Sequence, residues 1–351
     1  MSPFDTWYET AGVRSGFRRL FRDETDAGKV FFPARLVPYL AHEALAQATP
    51  QQQRELTIRH LYQFLLSTTH VETRIVNRAA ERIANGRAGI ELAMSVRLDA
   101  FKVYCDEGYH ALYSLDLAEQ IARETGIAIP PWDYGGFVDR LEQTGSRLLP
   151  DAPHLVSLLQ CVVFETLITA VLNEIPPDPT VLTVVRELTR DHAQDEGQHH
   201  RFFAGFFHEL WHQLDPCLRE PVAHALPALI RACLTWDVEP VTSSLLLAGV
   251  DPAAAREVVH DCYDGDVGLD RIADTCRATV RVCRSAGVFD VPGAVEAFAA
   301  YRLFPTHATS APEAAHELAL EHLSRVPRTC SPPRSSASCT PAGHNQYGRP
   351  A

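Results

Sequence analysis

The sequence predicts an all-α fold, a ferritin-like bundle of four long helices with additional C-terminal helices. Three observations predict it. Four stretches carry apolar residues at helical spacing, capping and breaking residues bound them, and one short motif, D-E-G-x-H, occurs in two of the four.

Pro33 to Gln47 reads as a short helix. Thr49-Pro50-Gln51-Gln52 then supplies an N-cap, a proline at the first helical position and a glutamine at the third, the composition of a capping box. The first long helix starts there. It carries Leu56, Leu61, Phe64, Leu65, Val71, Ile75 and Ala79 until Asn85-Gly86 stops it. The second runs from about Glu91 to Glu124, before Gly126. A short helix falls within Asp133 to Leu149, and an apolar helix from His154 to Glu174 ends before Pro176-Pro177. Asp178-Pro179 opens the fourth long helix, which continues to Leu214 and is closed by Asp215-Pro216. At 1.5 Å per residue these helices are about 30 to 54 Å long, which suits a bundle with a site at mid-height.

Shorter segments follow, Ala223 to Leu234, Pro252 to Tyr263 and Leu269 to Arg284, and are expected to pack around the bundle. Ala311 to Arg325 reads as a last amphipathic helix, so residues 1–325 form one domain. Residues 326–351, rich in Ser, Pro and Arg, are expected to be a disordered tail.

Charge excludes some partners. With 32 Lys and Arg against 44 Asp and Glu, the formal charge is -12 and no basic block occurs, which argues against nucleic acid or an anionic membrane. The nine cysteines are scattered without CxxC pairs and fit reduced thiols in the cytoplasm. Met1 to Arg22 is polar and aromatic, unlike a signal peptide. The longest apolar stretch, Leu155 to Leu172, is interrupted by Gln160 and Glu165 and reads as a buried helix rather than a membrane span.

The chemistry lies in the repeated motif. Asp106-Glu107-Gly108-Tyr109-His110 recurs as Asp195-Glu196-Gly197-Gln198-His199 in a different long helix. Residues three apart differ by about 60° around a helix axis, so each Glu and His reach one ion from the same face. Carboxylate-bridged di-iron and di-manganese bundles use two Glu-x-x-His helices and two helices giving one Glu each. Both further glutamates are present. Glu72 sits near the middle of the first long helix, and Glu165 sits in an apolar run where an unpaired carboxylate is costly.

His192 precedes Glu196 by four residues and His199 by seven, within a stripe about 60° wide, and becomes a seventh candidate ligand. The candidate set is Glu72, Glu107, His110, Glu165, His192, Glu196 and His199. Its four negative charges match two divalent ions. Oxygen and nitrogen donors without thiolate favour iron or manganese over structural zinc. One Glu-x-x-His alone is common on solvated helix faces, and Glu72 alone would pass for a surface residue. The order Glu, ExxH, Glu, ExxH along four helices is far more specific.

Neighbouring residues admit two readings each. Asp106 and Asp195 are either surface aspartates or acceptors for ligand imidazoles, each on the opposite half-site. Gly108 and Gly197 suggest close helix packing or space for a small ligand. Tyr104 reads as a packed core tyrosine before a redox-active one, and Cys105 and Cys161 as small core residues. His200, His208 and His212 point away from the ligand stripe. Thr68, Thr69, Tyr104, Cys161 and Thr169 are candidates to line a pocket, whereas helical phase turns Arg74 and Arg190 away.

The order Glu72, Glu107-x-x-His110, Glu165, His192, Glu196-x-x-His199 resembles the p-aminobenzoate N-oxygenase type of non-haem di-iron oxygenase, with His192 as the most diagnostic residue. The resemblance covers roughly Pro33 to Leu214. It implies a di-iron centre that activates dioxygen, a small-molecule amine as substrate, and a role in specialised metabolite biosynthesis. No dinucleotide fingerprint or iron–sulfur pattern is present, so electrons are expected from a separate reductase, a ferredoxin-like carrier or a chemical donor. A homodimer stays open. Two alternatives also stay open: a di-iron C-hydroxylase or desaturase acting on a small or carrier-tethered substrate, and a ferritin-like iron-handling protein.

Overall fold

Capping chemistry sets where the first long helix begins. The computed structural model describes residues 2–15, 17–22, 26, 28–167 and 172–304. The Thr49 side chain accepts from the Gln52 N–H at 3.2 Å, and the Gln52 side chain accepts from the Thr49 N–H at 2.9 Å. Two helix-end donors are thereby satisfied, with Pro50 at the first helical position. Counting only helices longer than four residues, α1 is Pro50–Val71, followed without a break by a π-helical segment, Glu72–Val76, and by α2, Asn77–Ala84. Gly126, in the left-handed region at φ 71°, ends α3 (Met94–Thr125). Then come α4 (Gly136–Leu148), α5 (Pro153–Leu167) and α6 (Thr183–Gln213).

Four expected elements differ from the structure. The helix expected at Ala223 to Leu234 starts at Pro216, because the Asp215 side chain accepts from the Cys217 N–H and caps it there. Pro33 to Gln47 is not one helix but three 3-10 turns, Ala34–Leu36, Pro38–Ala41 and Glu43–Leu45. Pro38 lacks an N–H and pushes Val37 out of the helical region, to φ -110° and ψ 87°. The fourth long helix starts at Thr183 rather than at Asp178-Pro179. Asp178 instead closes a turn, accepting from the Thr180 N–H and hydroxyl at 3.0 and 2.6 Å, and Val181 forms a bridge with Val30. The new helix start takes its cap from a distant residue, since the Asp26 carboxylate accepts from the Thr183 N–H at 2.8 Å. Leu269 to Arg284 divides at Cys276 into two helices, Gly265–Thr275 and Arg277–Ala286. The expected helix Ala311 to Arg325 and the tail after it lie outside the described residues.

The long helices form the bundle. α3 packs on α1 and α2, α5 on α6, α3 on α6, and the π segment on both α3 and α5. Helix Pro216–Leu234 covers α4 and α5. Two apolar clusters fill the interior, one including Leu56, Leu61 and Leu65 of α1 with Val184 and Leu188 of α6, the other Ile75, Val103, Phe203 and Phe207. Between them, on all four helices, lies a layer of buried charged and imidazole side chains. Among the described residues no helix is long and apolar enough to cross a membrane. The seven described cysteines are free thiols, and Cys105 is exposed rather than in the core.

Candidate metal centre

All seven predicted residues meet in that mid-height layer. Glu107, His110, Glu165, Glu196 and His199 have no exposed surface, and Glu72 and His192 almost none. Their inward atoms fall into two groups of metal-binding size. One is Glu72, His110, His192 and Glu196; the other is Glu107, Glu165, Glu196 and His199; within each, the donor atoms lie within 4.8 Å of one another. Glu196 belongs to both. Glu107 also spans the two, its oxygens lying 3.1 Å from His110 Nδ1 and 2.7 Å from His199 Nδ1. His192 Nε2 lies 3.2 Å from Glu196 and 3.5 Å from Glu72.

These short approaches are not a satisfied hydrogen-bond network. Both oxygens of Glu72, Glu165 and Glu196, one of Glu107, His192 Nε2 and His199 Nδ1 are buried without a hydrogen-bond partner. Leaving so many polar atoms unpaired in one layer is strongly unfavourable. Burial, together with the neighbouring Glu107, pushes Glu72 well above the usual carboxylate range, and burial with Glu196 and Glu107 does the same to Glu165. Two divalent cations would relieve both conflicts, so the residues fit a dimetal centre.

The aspartates take the role of imidazole acceptors, crosswise. His110 Nε2 lies 3.3 Å from Asp195 on α6, and His199 Nε2 lies 3.3 Å from Asp106 on α3. A proton held at each Nε2 leaves the Nδ1 lone pair facing inward.

An N-terminal segment backs both aspartates. The Trp7 indole N–H donates to the two oxygens of Asp106 at 2.9 and 2.8 Å, and the Gly12 N–H donates to Asp195 at 3.3 Å. A Cβ on Gly12 would stand 2.9 Å from that Asp195 oxygen, so a larger residue there would push the carboxylate aside. Nothing in the sequence near the motifs signals either contact.

Some neighbours are placed otherwise than expected. Tyr104 is 44% exposed and belongs neither to the core nor to the site. The tyrosine beside the imidazoles is Tyr113, with ring centroids 5.5 Å from His110 and 5.8 Å from His192. Its hydroxyl is buried without a partner, and burial and the nearby Glu72 push it well above the usual phenol range. Spacing of three from His110 was the available signal. Gly108 and Gly197 have open space where a Cβ would stand, so neither marks close helix packing. His208 pairs with Ser285, away from the metal groups. Arg74 is engaged by Asp139 and Glu142, as its phase implied.

Glu72 opens the π segment, where the Asn77 N–H donates to the Glu72 carbonyl, five residues back. Such segments occur at functional sites because the extra residue per turn re-aims side chains. Thr68, Thr69 and Thr73 direct their hydroxyls to carbonyls three or four residues back, at 2.9, 2.7 and 2.6 Å. This bonding bends helices and is the sequence trace of the irregularity.

A cavity of about 510 Å³ reaches Val71 and Phe164, the residues before Glu72 and Glu165. Thr68 lines it, whereas Thr69, Tyr104 and Cys161 do not, and Thr169 lies outside the described residues. Its volume is within the usual range for small-molecule sites.

A family model described as P-aminobenzoate N-oxygenase AurF matches residues 20–287, which include all seven site residues. The segment with Trp7 and Gly12 precedes the matched span. No curated protein matches the chain.

Proposed function

This chain belongs to the p-aminobenzoate N-oxygenase AurF family, and from that premise we propose that it holds two iron ions and oxygenates the nitrogen of a small-molecule amine with dioxygen. The observation that carries the reading is the pair of fully buried donor groups sharing Glu196. In this reading Glu72, His110 and His192 serve one ion, Glu165 and His199 the other, and Glu107 and Glu196 lie between them. The bound ions would supply the redox chemistry that activates dioxygen; manganese suits the same donors.

The chain's own residues do the rest. Asp195 and Asp106 hold protons at the outer nitrogens of His110 and His199, which fixes ring direction and tautomer. Val71 and Phe164, the residues before Glu72 and Glu165, line the end of the cavity nearest these ligands in the chain. One oxygen atom entering an N–H bond gives a hydroxylamine; the other leaves as water, with two protons and two electrons from an external reductase or ferredoxin-like carrier. Further oxygenation gives the nitro product, in the setting of specialised metabolite biosynthesis.

The test is a single turnover. Iron-loaded, reduced protein is mixed with isotopically labelled dioxygen and a panel of aryl and alkyl amines, and products are read by mass spectrometry. Labelled hydroxylamine or nitro product is expected. Labelled carbon hydroxylation alone would replace this reading with the C-hydroxylase one, and mineral formation would replace it with iron handling.

The Trp7 contact gives a second expectation. Trp7→Phe keeps the ring but removes the donor to Asp106. The indole stands one contact beyond the ligand partners whose loss typically changes metal affinity by about 10–100-fold, so a smaller change, from a few-fold up to about tenfold, is its range. A loss in that range is expected from chelator competition with ferrous or manganous ion. Unchanged affinity would show that the indole only packs.

A further inference from the structure

One face of α1 forms a continuous wall of the cavity. His60, Gln63, Phe64, Ser67, Thr68 and Val71 all line it, separated by steps of three, one, three, one and three. Such steps keep one helix face, and eleven rises of 1.5 Å from His60 to Val71 make that face about 16 Å long. One end is Val71, the residue before Glu72. Far from the metal groups, the other end is built from rings: His60 lies 4.9 Å from Phe32, 5.9 Å from Tyr39 and 6.0 Å from Trp236, centroid to centroid.

His60 is 4% exposed, and its Nδ1 is buried without a hydrogen-bond partner. An orphaned buried polar atom is unfavourable, and a ligand group bonded to it would relieve that cost. Burial holds this imidazole down to about 4, so it is neutral near pH 7 and suited to a neutral hydrogen bond. Arg35, Arg231 and Arg271 line the cavity together with Glu174, Asp237 and Asp264, and Arg35 pairs with Glu174. Between the ends α1 presents Gln63, Phe64, Ser67 and Thr68, and apolar lining comes from Phe137, Leu167, Leu234 and Ile272.

We propose that the substrate is an extended amine much longer than one aromatic ring, with its amine at the Val71 and Phe164 end, its midsection lying between α1 and the apolar lining opposite, and a hydrogen-bonding group at His60. This rests on the reading of the centre as an amine N-oxygenase. His60 is then a specificity-determining residue, remote from the reacting atoms.

Calorimetric titration of the full chain, metal-free and anaerobically iron-loaded, tests it with para-aminobenzamide and with the corresponding para-amino carboxamides of biphenyl, plain and hydroxyethyl-extended. Affinity is expected to rise at least tenfold from the one-ring probe to the best two-ring probe. His60→Leu should remove about tenfold from the longer probes, the worth of one buried hydrogen bond, and leave the one-ring probe unchanged. Ser67→Phe, at mid-wall, should block the longer probes. His60→Phe, which keeps a ring but has no hydrogen-bonding group, replaces the Leu variant where that variant melts early. Equal affinity for all probes, or a His60→Leu loss shared by the one-ring probe, overturns the proposal. Because binding is read without turnover, length-blind binding with active N-oxygenation overturns this inference alone. Length-dependent binding that needs His60 upholds the cavity assignment even where amine turnover fails.

Discussion

Anaerobic titration with ferrous iron is expected to load two ions per chain, and Glu165→Ala to abolish that stoichiometry while making the metal-free protein more stable. The two effects have one cause. Glu165 is wholly buried, both its oxygens lack hydrogen-bond partners, and burial with Glu196 and Glu107 pushes it well above the usual carboxylate range. Without cations it is a liability of several kcal/mol, which alanine removes. With cations it becomes a ligand that alanine cannot replace. Metal should therefore raise the melting temperature of the parent chain by binding only the folded state, and should barely move that of the variant. Elemental analysis and paired thermal melts, with and without ferrous ion, give the answer. A variant that still takes up two ions, or a metal-free variant less stable than the parent, would count against the assignment.

The second large effect is expected at His192. Its Nε2 faces inward, 3.2 Å from Glu196 and 3.5 Å from Glu72, and the ring centroid lies 4.1 Å from that of His110. As a direct ligand, its loss in His192→Ala should weaken the first-loaded ion by more than the about 10–100-fold expected of an outer partner. The absorption spectrum of the cobalt-substituted protein should change as well, because a nitrogen donor is lost. A purely hydrogen-bonding role would leave the cobalt spectrum in place and would be rescued by His192→Gln.

Much of this centre is legible in the amino-acid order because helices convert spacing directly into direction. The capping box at Thr49 follows from residue types at fixed positions. The crosswise use of Asp106 and Asp195 is one of two readings of the sequence and is decided by the packing of α3 on α6, whereas the use of the D-E-G-x-H repeat and of His192 follows from a turn of about 100° per residue. The same rule explains two misplacements. Around α3, buried Val103, His110 and Ser114 lie to one side of Glu107, which puts Tyr104 on the other side and Cys105 nearly opposite, so both meet solvent. Tyr113 lies toward the buried side.

Features that need long-range contacts are not legible. Trp7 and Asp106 are 99 residues apart and Gly12 and Asp195 are 183 apart, with no local pattern linking them. Asp26 capping Thr183 is of the same kind. The π segment is intermediate: threonines at 68, 69 and 73 mark a bent helix, yet nothing local says that the extra residue enters at Glu72. The cavity wall from His60 to Val71 was already written as a helical stripe, but only the tertiary fold shows that this face opens on a cavity rather than on core.

Anomalous diffraction from crystals loaded with iron without oxygen tests the central claim most directly. The account predicts two iron peaks, one among Glu72, His110, His192 and Glu196, the other among Glu107, Glu165, Glu196 and His199, with the carboxylates of Glu107 and Glu196 between them. A single peak, or iron bound away from these seven side chains, would contradict it.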